Sequence, residues 1–146
     1  MKSKLFQNGN QRTFVIVFDT GDEAASGLLE FAKQNQINSG FFTGLGAFER
    51  VTIAFFDLET KEYQHIPLDE QVEVMSLIGN IALYEGEPKI HAHVVLGKRD
   101  GTAHGGHLIS AQVRPTLEVW LTESPQTITR KFDETTNLPL IDLEAR

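Results

Sequence analysis

After Gly40 the sequence is a long succession of strand-like runs, and this feature most restricts the folds open to the chain. For about 90 residues, β-branched and aromatic segments alternate with polar or glycine-bearing turns. Breaks between strands are predicted at Glu59–Lys61, Gly79–Asn80, Glu85–Pro88 and Arg114–Pro115. Since one helical segment accompanies many antiparallel strands, the predicted class is α+β, with an antiparallel or mixed sheet.

The helical segment lies near the N-terminus, after a short apolar run at 12–19 that is typical of a buried strand. Thr20 is the predicted N-cap, with Glu23 three residues on as its capping-box partner. Apolar residues then recur at helical spacing and predict an amphipathic helix packed on the sheet: Ala25, Leu28, Leu29 and Ala32.

The length of 146 residues suits a single domain, 1–146. Its predicted core spans about residues 12–132, and a short strand leads into a polar tail at 133–146. The first residues lack the apolar region of a signal peptide, and no run approaches the roughly 20 apolar residues that a membrane helix needs. We therefore expect a cytoplasmic protein without a membrane partner.

Charge and composition restrict the functions further. The net charge of −7 disfavours DNA as a partner, because non-specific DNA affinity comes from clustered Lys and Arg. The chain has no cysteine, so it can form neither a disulfide nor a thiolate metal site. Histidine, aspartate and glutamate are the remaining strong metal ligands.

Four of the five histidines lie between residues 91 and 107, in "HAHVVLGKRDGTAHGGH". Strand alternation places Ile90, Ala92, Val94 and Leu96 on one face of the first strand. His91 and His93 then share the opposite face, with Cα atoms roughly 7 Å apart. Two imidazoles at this spacing can bind one metal ion.

Counting across the turn supplies a third ligand. In a hairpin with the three-residue loop Arg99–Gly101, residues equally distant from the centre of the loop lie directly opposite each other. His93 therefore faces His107. Gly101 can adopt the positive φ that such a loop requires. Three imidazoles on one sheet face predict a divalent metal site formed by His91, His93 and His107, with Zn²⁺ as the ion.

Other polar residues have weaker claims to a role at this site. Glu73 and Glu118 interrupt apolar strand sequence, and outward-pointing side chains would explain both. In the alternative interpretation, one of them faces the histidines as a further ligand, an orienting group or a catalytic proton carrier. Glu73 is the preferred candidate for this role, ahead of Glu118. His104 is predicted in the loop and His65 on an exposed strand elsewhere.

Three segments in this order resemble the plants-and-prokaryotes-conserved (PPC) domain: "GFFTGLGAF", "VEVMSLIGNIAL" and "IHAHVVLGKRDGTAHGGHLISAQVRPTLEVWL". The resemblance runs from about residue 12 to 132 and implies a compact α+β subunit that forms a homotrimer. It also carries the label of predicted DNA binding, which comes from relatives with an AT-hook. This chain has no "RGRP"-like motif, so it resembles the stand-alone prokaryotic type. Its histidines are also similar, more distantly, to those of the zinc enzyme acetolactate decarboxylase.

Three functional hypotheses follow. The first is a metal-binding PPC-domain protein that holds Zn²⁺ or another divalent ion through His91, His93 and His107. The second is a metal-dependent enzyme, a lyase or hydrolase acting on a small-molecule ligand, with Glu73 as proton carrier. The third is a DNA-associated regulatory protein, which the acidic charge disfavours.

Overall fold

A computed structural model describes residues 1–7, 9 and 11–144. These residues form one helix, α1 (Ala24–Gln34), and nine strands. The strands are β1 (Lys2–Gln7), β2 (Thr13–Asp19), β3 (Gly40–Asp57), β4 (Glu62–Leu68), β5 (Val72–Tyr84), β6 (Glu87–Gly97), β7 (Ala103–Glu123), β8 (Thr129–Asp133) and β9 (Leu138–Asp142). The predicted single α+β domain with one main helix is confirmed.

All nine strands belong to one sheet, with the order β1-β2-β7-β3-β5-β8-β9. β4 pairs with β3, and β6 pairs with both β5 and β7. Every pair is antiparallel except a single parallel bridge between β5 and β8, so the sheet is mixed. Because β3 pairs with β5, β5 with β6, β6 with β7 and β7 with β3, these four strands close a ring.

Helix α1 covers one face of the sheet and completes the core. Its buried residues are Ala24, Leu28, Phe31 and Ala32. The predicted face is therefore confirmed at Leu28 and Ala32, while Ala25 and Leu29 lie half-buried at its edge. Gly27 allows close packing, since a Cβ there would lie 2.6 Å from the ring of Phe18 on β2. No helix in the described residues is long and apolar enough to cross a membrane.

The predicted capping box at the start of α1 is wrong. Glu23 itself is the N-cap, and its carboxylate accepts hydrogen bonds from the backbone N–H of Ala25 and of Ser26. The same carboxylate also accepts a bond, 2.8 Å long, from the backbone N–H of Ala111 on β7. Thr20 instead donates to the carbonyl of Pro115. Glu23 therefore fixes the helix to the sheet as well as capping it.

Two predicted strand breaks are also wrong. β5 continues through Gly79–Asn80, because Gly79 leaves room for the ring of Phe42: a Cβ at Gly79 would lie 2.7 Å from one ring atom and from the His91 carbonyl. β7 continues through Arg114–Pro115. The predicted breaks near Glu59–Lys61 and Glu85–Pro88 are confirmed, since they separate β3 from β4 and β5 from β6.

The sheet extends beyond the predicted core at both ends. β1 pairs with β2 ahead of residue 12, and β9 pairs with β8 inside the segment 133–146, where the sequence predicts a polar tail. The sequence does not predict β9 because the strand has only 5 residues and contains Pro139, which weakens a strand pattern. The β8–β9 hairpin lies beside the histidines, so this difference bears on the candidate site.

Candidate metal site

The β6–β7 hairpin has the register that turn counting predicts. His93 lies opposite His107, and Gly97 opposite Ala103. The loop between them closes with hydrogen bonds between Lys98 and Thr102 and from Gly101 to Lys98, and Gly101 has a φ of 82°. The predicted core-side residues Ala92, Val94 and Leu96 are buried, and Ile90 packs partly buried against them. The histidines therefore project from the other face, as predicted.

The structure brings His91, His93 and His107 together as one triad. Each offers a ring nitrogen, and the three nitrogens all lie within 4.8 Å of one another. The Nε2 atoms of His91 and His93 are 3.1 Å apart. Zinc–nitrogen bonds of about 2.0–2.1 Å at tetrahedral angles separate two ligand nitrogens by roughly 3.3 Å. The distance therefore suits two ligands of one ion as well as a hydrogen bond between the rings.

The surroundings of His91 and His107 favour the neutral form of both rings. Burial lowers the pKa of His107 to about 4, and the neighbouring His91, His93 and Lys89 add to the shift. The pKa of His91 is also lowered, first by burial and then by the charges of His93 and Arg130. Neutral imidazole is the form that binds metals. At neutral pH, these two rings therefore present free lone pairs without having to lose a proton.

The contacts of His107 also fit a metal ligand. Its Nδ1 atom is buried and has no hydrogen-bond partner among the described residues. A buried ring nitrogen without a partner is costly, and coordination to an ion would satisfy it if this is the nitrogen that faces the ion. The phenol ring of Tyr63 on β4 packs against the imidazole, with ring centroids 4.8 Å apart, and restricts its rotation. Both the donor set and its support therefore fit a divalent ion.

The triad opens into a cavity of about 600 Å³ on the outer side of the sheet. Its walls are mostly apolar and aromatic, including Phe55, Phe56, Ile78 and Leu138. A volume in this range is typical of small-molecule sites. Three protein ligands beside an open cavity would leave a coordination position for water or a substrate, which is the arrangement of catalytic zinc sites.

Comparison with known proteins supports the fold and the family that the sequence predicts. A sequence profile of the Plants and Prokaryotes Conserved (PCC) domain, also abbreviated PPC, matches residues 6–125. The chain belongs to the PCC domain family. The predicted family is therefore confirmed, while no curated protein sequence matches significantly.

Three solved structures resemble this PCC domain over almost its whole length. A candidate DNA-binding protein from Bacteroides thetaiotaomicron is 29% identical, with a TM-score of 0.89 and coverage of 98% of this chain and 99% of that one. A metal-containing protein from Archaeoglobus fulgidus is 34% identical (TM-score 0.82, 95% of each chain). A plant- and prokaryote-conserved protein from Pyrococcus horikoshii is 32% identical (TM-score 0.84, 99% and 97%).

The expected likeness to acetolactate decarboxylase is found as a likeness of fold. A Staphylococcus aureus protein of unknown function, itself described as similar to alpha-acetolactate decarboxylase, superposes with a TM-score of 0.55 at 10% identity. The match covers 82% of this PCC domain and 52% of that chain. At this identity the comparison concerns the fold alone.

The structure does not bring Glu73 to the triad. Glu73 pairs with Gly97 at the far end of β6, whereas His93 pairs with Ile78, five residues further along β5. At about 3.3 Å per residue this separation is roughly 16 Å along the strand. Glu73 and Glu118 are both exposed, as the outward-pointing alternative predicts. Glu73 is therefore not placed to act as a ligand or proton carrier at the triad.

The other two histidines lie outside the triad. His104 is half-buried in β7 opposite Leu96, so its predicted loop position is wrong: β7 begins at Ala103, directly after the turn. His65 is exposed on β4 opposite Ala54, as predicted.

Sequence reasoning missed two residues beside the triad, Tyr63 and Arg130. Tyr63 reaches His107 because β3 carries β4 next to the β6–β7 hairpin. Arg130 comes from the β8–β9 hairpin and lines a smaller cavity together with His91 and His107. Neither has a local signal, since each depends on a pairing between distant segments. Burial raises the pKa of the Tyr63 phenol and lowers that of the Arg130 guanidinium.

Proposed function

We propose that this PCC-domain chain binds one divalent metal ion through His91, His93 and His107. The observation that carries the proposal is the convergence of three ring nitrogens within 4.8 Å, at positions set by strand register. Zn²⁺ is the ion we favour, because an all-imidazole donor set with an open position suits it well. The metal-containing relative from Archaeoglobus fulgidus, at 34% identity, supports the proposal.

Elemental analysis tests this proposal directly. Protein purified without chelator or metal-affinity tag should contain about one metal per chain by the three-histidine model. His93→Ala should lose most of this metal, whereas His65→Ala should keep it. Both histidines are exposed and both lie within strands, so the two substitutions disturb the fold to a similar extent. Less than a tenth of a metal per wild-type chain, after incubation with Zn²⁺, would contradict the proposal.

A second candidate function is metal-dependent chemistry on a small molecule. The cavity of about 600 Å³ beside the triad favours it, since a purely structural zinc site is closed by four protein ligands. A bound ion would supply an acidified water or a polarised carbonyl. The proton carrier would have to be a group other than Glu73. Turnover of small 2-oxo or hydroxy acids, followed by NMR with His93→Ala as control, tests this function.

We further propose that the chain assembles as a homotrimer. A patch of large apolar side chains is exposed on the outer face of β3, β5, β6 and β7, comprising Phe41, Leu45, Met75, Ile78, Val95 and Trp120. Thr43 lies between Ile78 and Trp120 in the register, so the patch is continuous across strands. An exposed apolar surface of this kind is typical of a subunit interface. Sedimentation equilibrium should report three chains per particle, and a monomer would contradict trimerisation.

DNA binding is the function that we favour least, although one close structural relative is a candidate DNA-binding protein. The net charge of −7 opposes contact with phosphates. We expect no salt-sensitive retention on duplex DNA at low ionic strength. Clear retention that is lost as salt rises would instead favour the regulatory hypothesis.

A further inference from the structure

A second, smaller cavity adjoins the triad on the side of the β8–β9 hairpin. It has a volume of about 170 Å³ and is walled by Ile90, Leu138, Pro139 and Leu140. Its polar lining consists of His91, His107, Tyr63, Lys89 and Arg130. Among the described residues, no aspartate or glutamate lines this cavity or the larger one. The walls therefore carry positive charge and no negative charge.

Arg130 is a partly buried cation that forms no ion pair with the carboxylates in the part of the chain that the structure describes. Its Nη1 donates to the carbonyl of Pro139 at 3.0 Å, and its Nη2 donates to Oδ1 of Asn80 at 2.5 Å. Its Nε is buried and has no hydrogen-bond partner among the described residues. None of the carboxylates in these residues lies within ion-pair distance of the guanidinium. A guanidinium has five N–H donors, and burying its charge without a counterion is costly. A guanidinium that lines a cavity and has no counterion indicates a binding site for an anion.

Lys89 adds a second positive charge at the mouth of this cavity. Its side chain is exposed, and its ammonium lies over the ring of Tyr84, 5.3 Å from the ring centroid. It forms no ion pair with an aspartate or glutamate among the described residues. A divalent ion on three neutral imidazoles would raise the local charge further. Since no carboxylate from the described part of the chain offsets these charges, we expect a ligand to supply the negative charge.

From this arrangement we infer that the site binds a small carboxylate, with the carboxylate group held by Arg130 and the rest of the molecule directed toward the triad. The inference rests on the proposed metal-binding function and names the chemical class of its ligand. The volume of about 170 Å³ limits the part of the ligand beside Arg130 to a few carbon atoms, since sites for drug-sized ligands take about 300–1,000 Å³. Arg130 is the one guanidinium among the lining residues, and its planar fork matches the two oxygens of a carboxylate.

Arg130 lies beyond residue 125, where the matched family segment ends. The triad lies within that segment, whereas the cation that would select the ligand lies on the hairpin that follows it. Metal binding and ligand selection are therefore assigned to different parts of the chain.

Calorimetric titration of lactate into the zinc-loaded chain tests the inference, with lactamide as the neutral isostere and inorganic phosphate as the competing anion. Lactate should bind, lactamide should bind at least tenfold more weakly, and phosphate should be weaker than lactate. Arg130→Gln should weaken lactate binding about tenfold or more, because it removes a charge-assisted contact. Equal binding of lactate and lactamide, or no binding of lactate, would overturn the inference, and tighter binding of phosphate would overturn the assignment to a carboxylate.

Two control variants separate the charge of Arg130 from its structural contacts. Asn80→Ala removes the hydrogen bond that anchors the guanidinium but keeps its charge, so it should weaken lactate binding less than Arg130→Gln does. Lys131→Gln removes one positive charge from the adjacent exposed position on β8 and should leave binding unchanged. If Asn80→Ala lost binding as fully as Arg130→Gln, Arg130 would be only a structural anchor. An equal loss in Lys131→Gln would show that the total positive charge of the hairpin, and not Arg130, attracts the ligand.

The zinc content of each sample is measured alongside the titration, and the titration is repeated on metal-free protein. A chain that takes up no metal but still binds lactate through Arg130 would contradict the proposed metal function and support the carboxylate site. A chain that holds one zinc per triad but binds lactate equally well with and without Arg130 would support the proposed metal function and contradict the carboxylate site. The two proposals can therefore fail separately.

Discussion

Two hairpins meet at the candidate site, and they are held in place very differently. The β6–β7 hairpin is paired with β5 along the whole of β6 and with β3 along β7, so its backbone lies inside a closed ring of strands. The β8–β9 hairpin joins the rest of the sheet through one bridge, Leu83 to Thr129. Side-chain hydrogen bonds from Arg130 to Asn80 and from Lys61 to the Glu134 carbonyl add to it. The rigid hairpin carries the triad, whereas the loosely attached one carries the cation.

This difference fits the demands on each hairpin. A metal site needs its ligands fixed within a few tenths of an ångström, which strands paired on both sides provide. A ligand has to enter and leave, and segments that move for this purpose are drawn from the less stable parts of a fold. Three predictions test whether the two hairpins differ in this way.

The largest effect is expected from Gly106→Ala in the rigid hairpin. A Cβ at Gly106 would lie 2.8 Å from the carbonyl oxygen of Ala54, a backbone atom of β3 that cannot move aside without opening the ring. We expect the free energy of unfolding to fall by about 2–3 kcal/mol, as in overpacked cores, and zinc occupancy to fall with it. Chemical denaturation and elemental analysis measure the two effects.

Gly97→Ala is the matched control in the same hairpin. A Cβ at Gly97 would approach only the Cγ and Sδ atoms of Met75, at 3.2 Å, and this exposed side chain can rotate away. We expect a change within about 0.5 kcal/mol. If both substitutions had the same small effect, the close approach of β3 would not hold the β6–β7 hairpin.

A smaller effect is expected in the β8–β9 hairpin from Asn80→Ala. Loss of a hydrogen bond to a charged group costs about 1.5–3 kcal/mol, so local opening of this hairpin should become at least tenfold more frequent. Hydrogen exchange should therefore accelerate at residues 129–142 and remain unchanged at residues 92–97 of β6. Equal acceleration in both segments would show that the two hairpins open together.

The two hairpins also show which features local sequence can predict. The register of His93 and His107 follows from strand alternation, a short loop and one glycine with positive φ, and all of these are local. The β8–β9 hairpin, the position of Arg130 and the packing of Tyr63 on His107 depend on pairings between distant segments. These features leave no periodic pattern in the sequence. A hairpin with one bridge to the sheet buries too few side chains to produce an alternation of apolar and polar residues.

Contacts between distant segments explain the errors at Gly79 and at the start of α1. A break was expected at Gly79 because glycine weakens strands, but here it makes room for the Phe42 ring within a continuous β5. Glu23 was assigned to a capping box, whereas its carboxylate also accepts from Ala111 on β7 and so shifts the start of the helix. In both places a contact made across the fold replaces the local rule.

The third and smallest predicted effect is the pH dependence of the metal-free protein. The pKa of His107 is lowered to about 4 from its ordinary value of 6.5, mainly by burial. Above pH 6.5 the ring is neutral in both states and adds no pH dependence. Between about 6.5 and 4 the unfolded chain binds the proton and the folded chain does not, so stability falls as pH falls. Because solvent reaches this half-buried ring, the loss attributed to it is about 1 kcal/mol.

Urea denaturation at pH 7 and pH 5, with chelator present, measures this loss. His107→Gln should flatten the dependence and His65→Gln should not, because only the first residue is half-buried in the triad. Arg130→Gln should also reduce it, since the guanidinium charge contributes to the lowered pKa of His91. A dependence that Arg130→Gln leaves unchanged would mean that the charge of the loosely held hairpin does not reach the triad, and that the two hairpins form separate sites.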